Sequence, residues 1–320
     1  MSCVHPPLFR VKDILAFDGK EAGAFGSPIS YDARGDGFLV CFVKFRAPGV
    51  STTSFVLLRG ESTAPEVVYA SDDAFTGCYD PEADRLLVAE FPVPSLYRNQ
   101  PEELCVPGRG RILAVDVGTG EVRTVLAPAR GFAPMSMSLG PDGSLAVWDA
   151  CSRLLRVLGP GGETRWESEL GEGPVPALAC GPEGEVYALV RADRGYLGWS
   201  GSLPEDMVYR IEPGRPRIPV HRSLLHHGLK GAIQSVAWWG GLVVSYFCPM
   251  ESWLACVSGS GVPLWQAAVP GLVGPADAYA WGVGASGGLL WLSCYSREGW
   301  RLALLEKQDA GSGGGVHGRR

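Results

Sequence analysis

One phrase recurs six times along this chain, a turn of small or polar residues followed by a short apolar strand. It reads Gly37-Phe38-Leu39-Val40, Arg85-Leu86-Leu87-Val88, Ser144-Leu145-Ala146-Val147, Glu185-Val186-Tyr187-Ala188, Gly241-Leu242-Val243-Val244 and Gly288-Leu289-Leu290-Trp291. From Phe38 to Leu289 it returns about every 50 residues, a period that belongs to propellers and solenoids. Such a scaffold carries its function in a few loops, so the repeat speaks to architecture and to where a pocket lies, and not to a reaction.

Two further apolar runs follow the phrase in five of the six units. They are Ser54 to Leu58 with Glu66 to Tyr69, Ile112 to Val115 with Val122 to Leu126, and Leu154 to Leu158 with Thr164 to Trp166. Met207 to Ile211 with Arg217 to Val220, and Trp253 to Val257 with Val262 to Trp265, complete the set. Turns such as Gly118-Thr119-Gly120 and Gly259-Ser260-Gly261 supply the positive backbone angles that tight hairpins require. With the run before each phrase, such as Pro176 to Ala179 and Ile233 to Ala237, each unit has four strands, the pattern of a propeller blade.

The sixth unit is one strand short. After Trp300 to Leu305 the chain passes into the Gly-rich run Gly311 to Gly315, which is no strand. The segment Leu8 to Phe17 is the candidate to complete it, locking first and last units into a closed ring without exposed sheet edges. The expected fold is therefore all-β: a six-bladed β-propeller of four-stranded antiparallel blades, closed by the N-terminal strand. Residues 1–310 read as one domain and 311–320 as a flexible tail.

Composition agrees with a turn-rich β protein that has a large core: 46% of residues are apolar and 19% charged, with Gly 44 and Pro 25. No apolar run approaches the roughly 20 residues that cross a membrane, and no secretory signal pattern opens the chain. The nine cysteines are scattered, with Cys41, Cys78, Cys180, Cys248, Cys256 and Cys294 inside apolar strands and no metal-type spacing. They read as reduced, buried small hydrophobes, and the chain as cytoplasmic. A net charge of −6, with no basic stripe, argues against nucleic acid as a partner.

The repeated phrase and the turn-then-Trp ends at Gly161 to Trp166 and Gly259 to Trp265 resemble six-bladed propellers. These include NHL-repeat proteins, senescence-marker-type lactonases and strictosidine-synthase-like proteins. The run Leu113 to Val122 is also similar to a quinoprotein-type repeat. The lactonase resemblance implies a divalent metal at the ring's centre held by carboxylates and Asn side chains. This chain has a single Asn, Asn99, in a polar segment away from any strand centre, so that ligand set is not reproduced. A shell of carboxylates and main-chain carbonyls is the remaining way to hold a hard cation such as Ca²⁺, and Zn²⁺ is the other candidate.

In a propeller, the connections from second to third strand share one face with those between blades. Two of the former are long, 90–106 and 191–206, and they flank the short turn Trp148-Asp149-Ala150-Cys151 of the third unit. Long loops on a rigid scaffold are where binding residues sit. The ends of the second strands add Lys44, Glu90, Asp149, Arg191, Glu251 and Arg297, which read either as a polar binding rim or as a ring of self-satisfied ion pairs. The candidate ligand-binding residues are thus Glu90, Tyr97, Arg98, Asp149, Arg191, Asp193, Tyr196, Trp199, Glu251 and Arg297. His226, in the 221–230 connection, with Asp73 and Asp277 in equivalent connections, forms the weak catalytic or metal-binding candidate set. No Gly-Xaa-Ser-Xaa-Gly elbow or phosphate loop is present, Arg34-Gly35-Asp36 reads as an ordinary turn, and the Trp residues of the last two units read as packing between blades. The expected function is a module binding a small-molecule or protein ligand on this loop face. The alternative is a metal-dependent lactonase or hydrolase with its ion in the channel.

Overall fold

Why the phrase was so visible follows from where its strand lies. Each second strand is interior to its blade and covered on both sides by neighbouring blades, so it reads as an unbroken apolar run. All five residues of Leu145–Asp149 and all five of Val186–Val190 are buried. The computed structural model describes residues 9–17, 24–32, 37–47, 50–59, 66–92, 105–171, 173–191, 206–222, 225–226, 229–230, 232–248, 251–269, 272, 279–286, 288–296 and 299–307.

The protein is a six-bladed β-propeller. Strand β1 is Phe9–Phe17. Blade 1 follows with β2 Ala24–Asp32, β3 Gly37–Ala47, β4 Val50–Arg59 and β5 Glu66–Ser71, and blade 2 with β6 Ala74–Asp80, β7 Arg85–Glu90, β8 Arg111–Asp116 and β9 Val122–Leu126. Blade 3 is β10 Pro134–Leu139, β11 Leu145–Asp149, β12 Leu154–Leu158 and β13 Thr164–Glu169. Blade 4 is β14 Ala177–Cys180, β15 Val186–Val190, β16 Met207–Ile211 and β17 Ile218–Arg222. A small hairpin, β18 Leu225–His226 and β19 Leu229–Lys230, precedes blade 5, which is β20 Ala232–Trp238, β21 Leu242–Cys248, β22 Glu251–Val257 and β23 Pro263–Ala268. Blade 6 contains β24 Tyr279–Ser286, β25 Leu289–Ser296 and β26 Gly299–Lys307, in the sheet order β1-β26-β25-β24. The N-terminal strand therefore completes the last blade, antiparallel to β26 from Phe9 opposite Lys307 to Phe17 opposite Trp300. Among the described residues no helix is long and apolar enough to cross a membrane.

The turns from first to second strand show how local chemistry sets the blades. Gly140 donates its N–H to Ser144 O at 2.7 Å and Gly143 to Gly140 O at 3.1 Å, and Gly181 and Gly184 repeat this with Glu185 and Gly181. Gly143 and Gly184 have φ of 73° and 84°, which a side chain rarely tolerates. A second repeated bond marks the other end of the second strand in blades 2, 3 and 4. Phe91, Ala150 and Arg191 donate their N–H groups to Asp73 O, Ala133 O and Pro174 O at 2.9, 2.9 and 3.0 Å, tying each strand's exit to its blade's entry.

The cysteines correct one expectation. Cys105 and Cys151 form a disulfide, with Cα atoms 5.4 Å apart. It fastens the end of the 90–106 connection to the short turn of blade 3, beside a bridge between Pro107 and Gly131. Cys41, Cys78, Cys180, Cys256 and Cys294 are thiols outside any disulfide. The pair was missed because each member lies in a loop, and only the fold brings two loops of different blades together. The cross-link removes the cysteine argument for a reducing compartment.

Candidate functional site

The first strands of the blades line a central channel. It encloses about 640 Å³ and is walled, among the described residues, by strands β6, β10, β14, β20 and β24. That volume lies within the range of small-molecule sites, roughly 300–1,000 Å³. The turn residues on its wall are Pro81, Gly140, Pro141, Gly181 and Pro182, all from turns joining first to second strands. The channel therefore opens on the face opposite the long connections.

Neighbouring first strands are stapled through their small polar residues. Ser136 donates its hydroxyl to Val175 O at 2.7 Å, and Ser235 donates to Val283 O at 3.2 Å. Cys180 N–H donates to Ser138 Oγ at 3.1 Å. These bonds hold the wall without filling the space. Gly77, Ala177, Ala179, Gly282 and Gly284 keep parts of the wall low. At Gly284 an added Cβ would lie 1.8 Å from the Trp291 indole, so glycine is what lets that ring lie along the wall. The described wall carries no charged side chain. Burial pushes the Cys180 thiol up to about 11 and raises Cys78 as well, so both are neutral thiols at physiological pH.

The loop face is a different chemical environment, and its described charges already have partners. Glu90, 1% exposed, accepts from the Tyr69 hydroxyl at 2.6 Å and from Arg111 at 2.7 Å. Burial pushes its carboxyl upward, but hydrogen bonds from Tyr69, Ser71 and Arg111 outweigh that and hold it below the usual range. Asp149, also 1% exposed, accepts from Ala133 N–H at 2.9 Å, Cys151 N–H at 3.1 Å, the Ser152 hydroxyl at 2.5 Å and Arg156 at 2.9 Å. Arg191 donates to Ile233 O at 2.8 Å and faces Asp206 at 3.6 Å, while Asp206 accepts Ile233 N–H at 2.9 Å. Of the two readings of this rim, self-satisfaction describes these three residues.

The rim itself needs correction. Glu90 and Asp149 end second strands, whereas Lys44 lies inside β3, Arg191 is one residue beyond β15, and Glu251 opens the third strand β22, paired with Cys248. Glu251 follows Cys248 by only three positions in the chain, which made it look like the end of the preceding strand. Asp73 pairs with Arg109 at 2.7 Å on the surface, and Asp72 accepts from Thr52. His226 is placed in β18, opposite Leu229, with nothing described of its side chain. Tyr97, Arg98, Asp193, Tyr196, Trp199, Asp277 and Arg297 lie outside the described residues. The described residues contain no group of three or more His, Cys, Asp or Glu able to hold a metal ion.

The sequence reading also missed a buried cluster beside the second long connection. His221 Nε2 meets the Tyr246 hydroxyl across the junction of blades 4 and 5. Burial lowers the His221 pKa to about 4 and pushes Asp206 up to about 6, the latter against the pull of Arg191 and Ile233 N–H. Burial and then the Asp206 charge raise Tyr246. Strand alternation alone could not reveal it, since its members come from β17, β21 and the residue before β16.

No family model matches the chain, and no curated protein matches it in sequence. Solved structures do match. A glucose dehydrogenase superposes with TM-score 0.53 at 12% identity, covering 95% of this chain and 100% of that one. A second glucose dehydrogenase gives 0.50 at 13% identity over 89% of this chain and 100% of that one. A catalytically inactive virginiamycin B lyase from Staphylococcus aureus, solved with quinupristin, gives 0.50 at 10% identity over 93% and 99%. The likeness is one of fold. At such identities the activities of those proteins stay with them.

Proposed function

We propose that this propeller is a binding module that takes a small uncharged ligand into its central channel. The carrying observation is the open channel of about 640 Å³ whose described wall bears no charged side chain, with Thr76 and Gln234 offering polar groups and Trp238 and Trp291 offering aromatic surface. An unpaired charge in such a site would lose its hydration without compensation, which selects against ions. A protein partner on the loop face has less behind it, because Glu90, Asp149 and Arg191 are engaged by neighbours. The metal-dependent hydrolase has less still. The described channel wall offers hydroxyls, neutral thiols, a carboxamide and main-chain carbonyls, whereas hard cations favour carboxylates.

Ligand-observed NMR with a panel of neutral, anionic and cationic fragments tests the reading. Saturable binding confined to neutral members supports it, and a folded protein that binds no neutral member overturns it. Thermal melts with Ca²⁺ and Zn²⁺ test the hydrolase, since an ion at 100 times its Kd adds about 2.7 kcal/mol to stability.

A further inference from the structure

The ladder between first and second strands slips by one residue in blades 1, 2, 3, 5 and 6. The extra residues are Ile29, Phe75, Met135, Gln234 and Trp281. Such bulges re-aim a side chain and gather near functional sites. Four of the five are apolar. Phe75 and Met135 pack into the core between blades, Phe75 with its ring 5.0 Å from that of Phe91. Gln234 is the polar exception and lines the channel. Its carboxamide has no hydrogen-bond partner among the described residues. Nothing in the packing of blade 5 calls for an amide there, since Ile233 and Val236 on either side serve the core.

Two indoles share the channel wall. Trp238, at the far end of the same strand, is fixed by stacking on Tyr187, with centroids 5.1 Å apart and planes at 19°. Trp291 is 7% exposed, and its Nε1–H is buried with no acceptor among the described residues. A buried donor left unmade is costly, so an acceptor brought to it by a ligand would be favoured.

We propose that Gln234 reads an amide edge, an N–H donor beside a carbonyl acceptor, on an uncharged heteroaromatic ligand in the channel. This inference rests on the channel-binding reading above. A carboxamide presents a carbonyl acceptor and two N–H donors side by side, and an amide edge is the arrangement that meets both in parallel. The described wall, without a charged side chain, disfavours the ionised analogue, and the indole surfaces favour a ring over a flexible chain.

Titration of the full chain with nicotinamide, uracil, nicotinate and glucose, followed by tryptophan fluorescence and ligand-observed NMR, tests it. Nicotinamide or uracil is expected to bind saturably, with nicotinate, the same ring carrying a carboxylate, at least tenfold weaker. Gln234→Leu and Gln234→Glu are each expected to weaken the amide ligands at least tenfold without lowering the melting temperature. The second variant keeps the test intact if the first fails to fold. Preference for glucose, or unchanged affinity in both variants, overturns the amide reading and leaves channel binding standing. Equal binding of nicotinate overturns the amide reading together with the restriction to uncharged ligands. Binding of none of the four overturns the amide reading, and the fragment panel then decides channel binding.

Discussion

On the loop face, the carboxylates of Glu90, Asp149 and Asp206 are buried and each holds named partners. Along the channel, Thr76 and Gln234 are polar and without partners among the described residues. A buried charge must be compensated by the protein itself, or the fold is destabilised. A neutral hydroxyl or amide facing a solvent-sized space needs no such compensation, so it is left over for something else. The difference teaches that the described charges of the loop face serve architecture, and that the quieter surface has hydrogen-bonding capacity left over.

The sharpest way to break this comparison is to remove a loop-face carboxylate. Asp149→Ala leaves Arg156 without its buried partner and two main-chain N–H groups without an acceptor, and is expected to cost about 3–5 kcal/mol in chemical denaturation. A loss below 1 kcal/mol would mean the rim is not structural. The disulfide is next. Cys105→Ser releases a cross-link spanning 46 residues of chain, for which loop-closure entropy gives about 4 kcal/mol as an upper figure. The same denaturation curve, run with and without reductant on the unaltered protein, checks it.

A pH profile sharpens the comparison further. The Asp206 carboxyl keeps its proton up to about 6 instead of 3.8, so the native state binds more protons in that window and stability falls as pH rises through it. His221 takes a proton only near 4 instead of 6.5, so the native state binds fewer, and stability falls as pH drops through that window. Each is worth roughly 3 kcal/mol, and between about pH 4 and 6 the two slopes oppose. His221→Gln is expected to give stability that declines from pH 4 to 6, and Asp206→Asn stability that rises toward pH 6.5. Profiles parallel to that of the unaltered protein would remove the cluster from the pH response. The smallest effects come from the channel wall and from an exposed pair of the loop face. Thr76→Val in the channel and Arg109→Ala, half of an exposed pair with Asp73, are each expected to cost about 1 kcal/mol or less.

The blade count, the strand order and the closing role of Phe9–Phe17 were legible in the chain, because each depends on local patterns of apolar runs, turn glycines and one missing strand. The candidate site was legible only in part. Glu90 and Asp149 were found at strand ends, but nothing local says that Tyr69 and Arg111 reach one, or that Ala133 and Arg156 reach the other. The sequence drew the candidate site toward the long connections because length draws attention, whereas much of the channel wall is Gly, Ala and Ser, which carry no signal of their own.

What the sequence determined by itself is the period: a fifty-residue unit with four strands can bury both faces of its central strand only by packing between copies. What the tertiary structure decided is everything that depends on residues far apart in the chain meeting. The Cys105–Cys151 bond, the His221–Tyr246–Asp206 cluster and the position of Gln234 on the channel wall are of this kind. Hydrophobic periodicity is a local property, imposed on every unit by the same packing problem. Polar pairing and free space arise between units, where the closure of the ring, and no single repeat, sets which groups face one another.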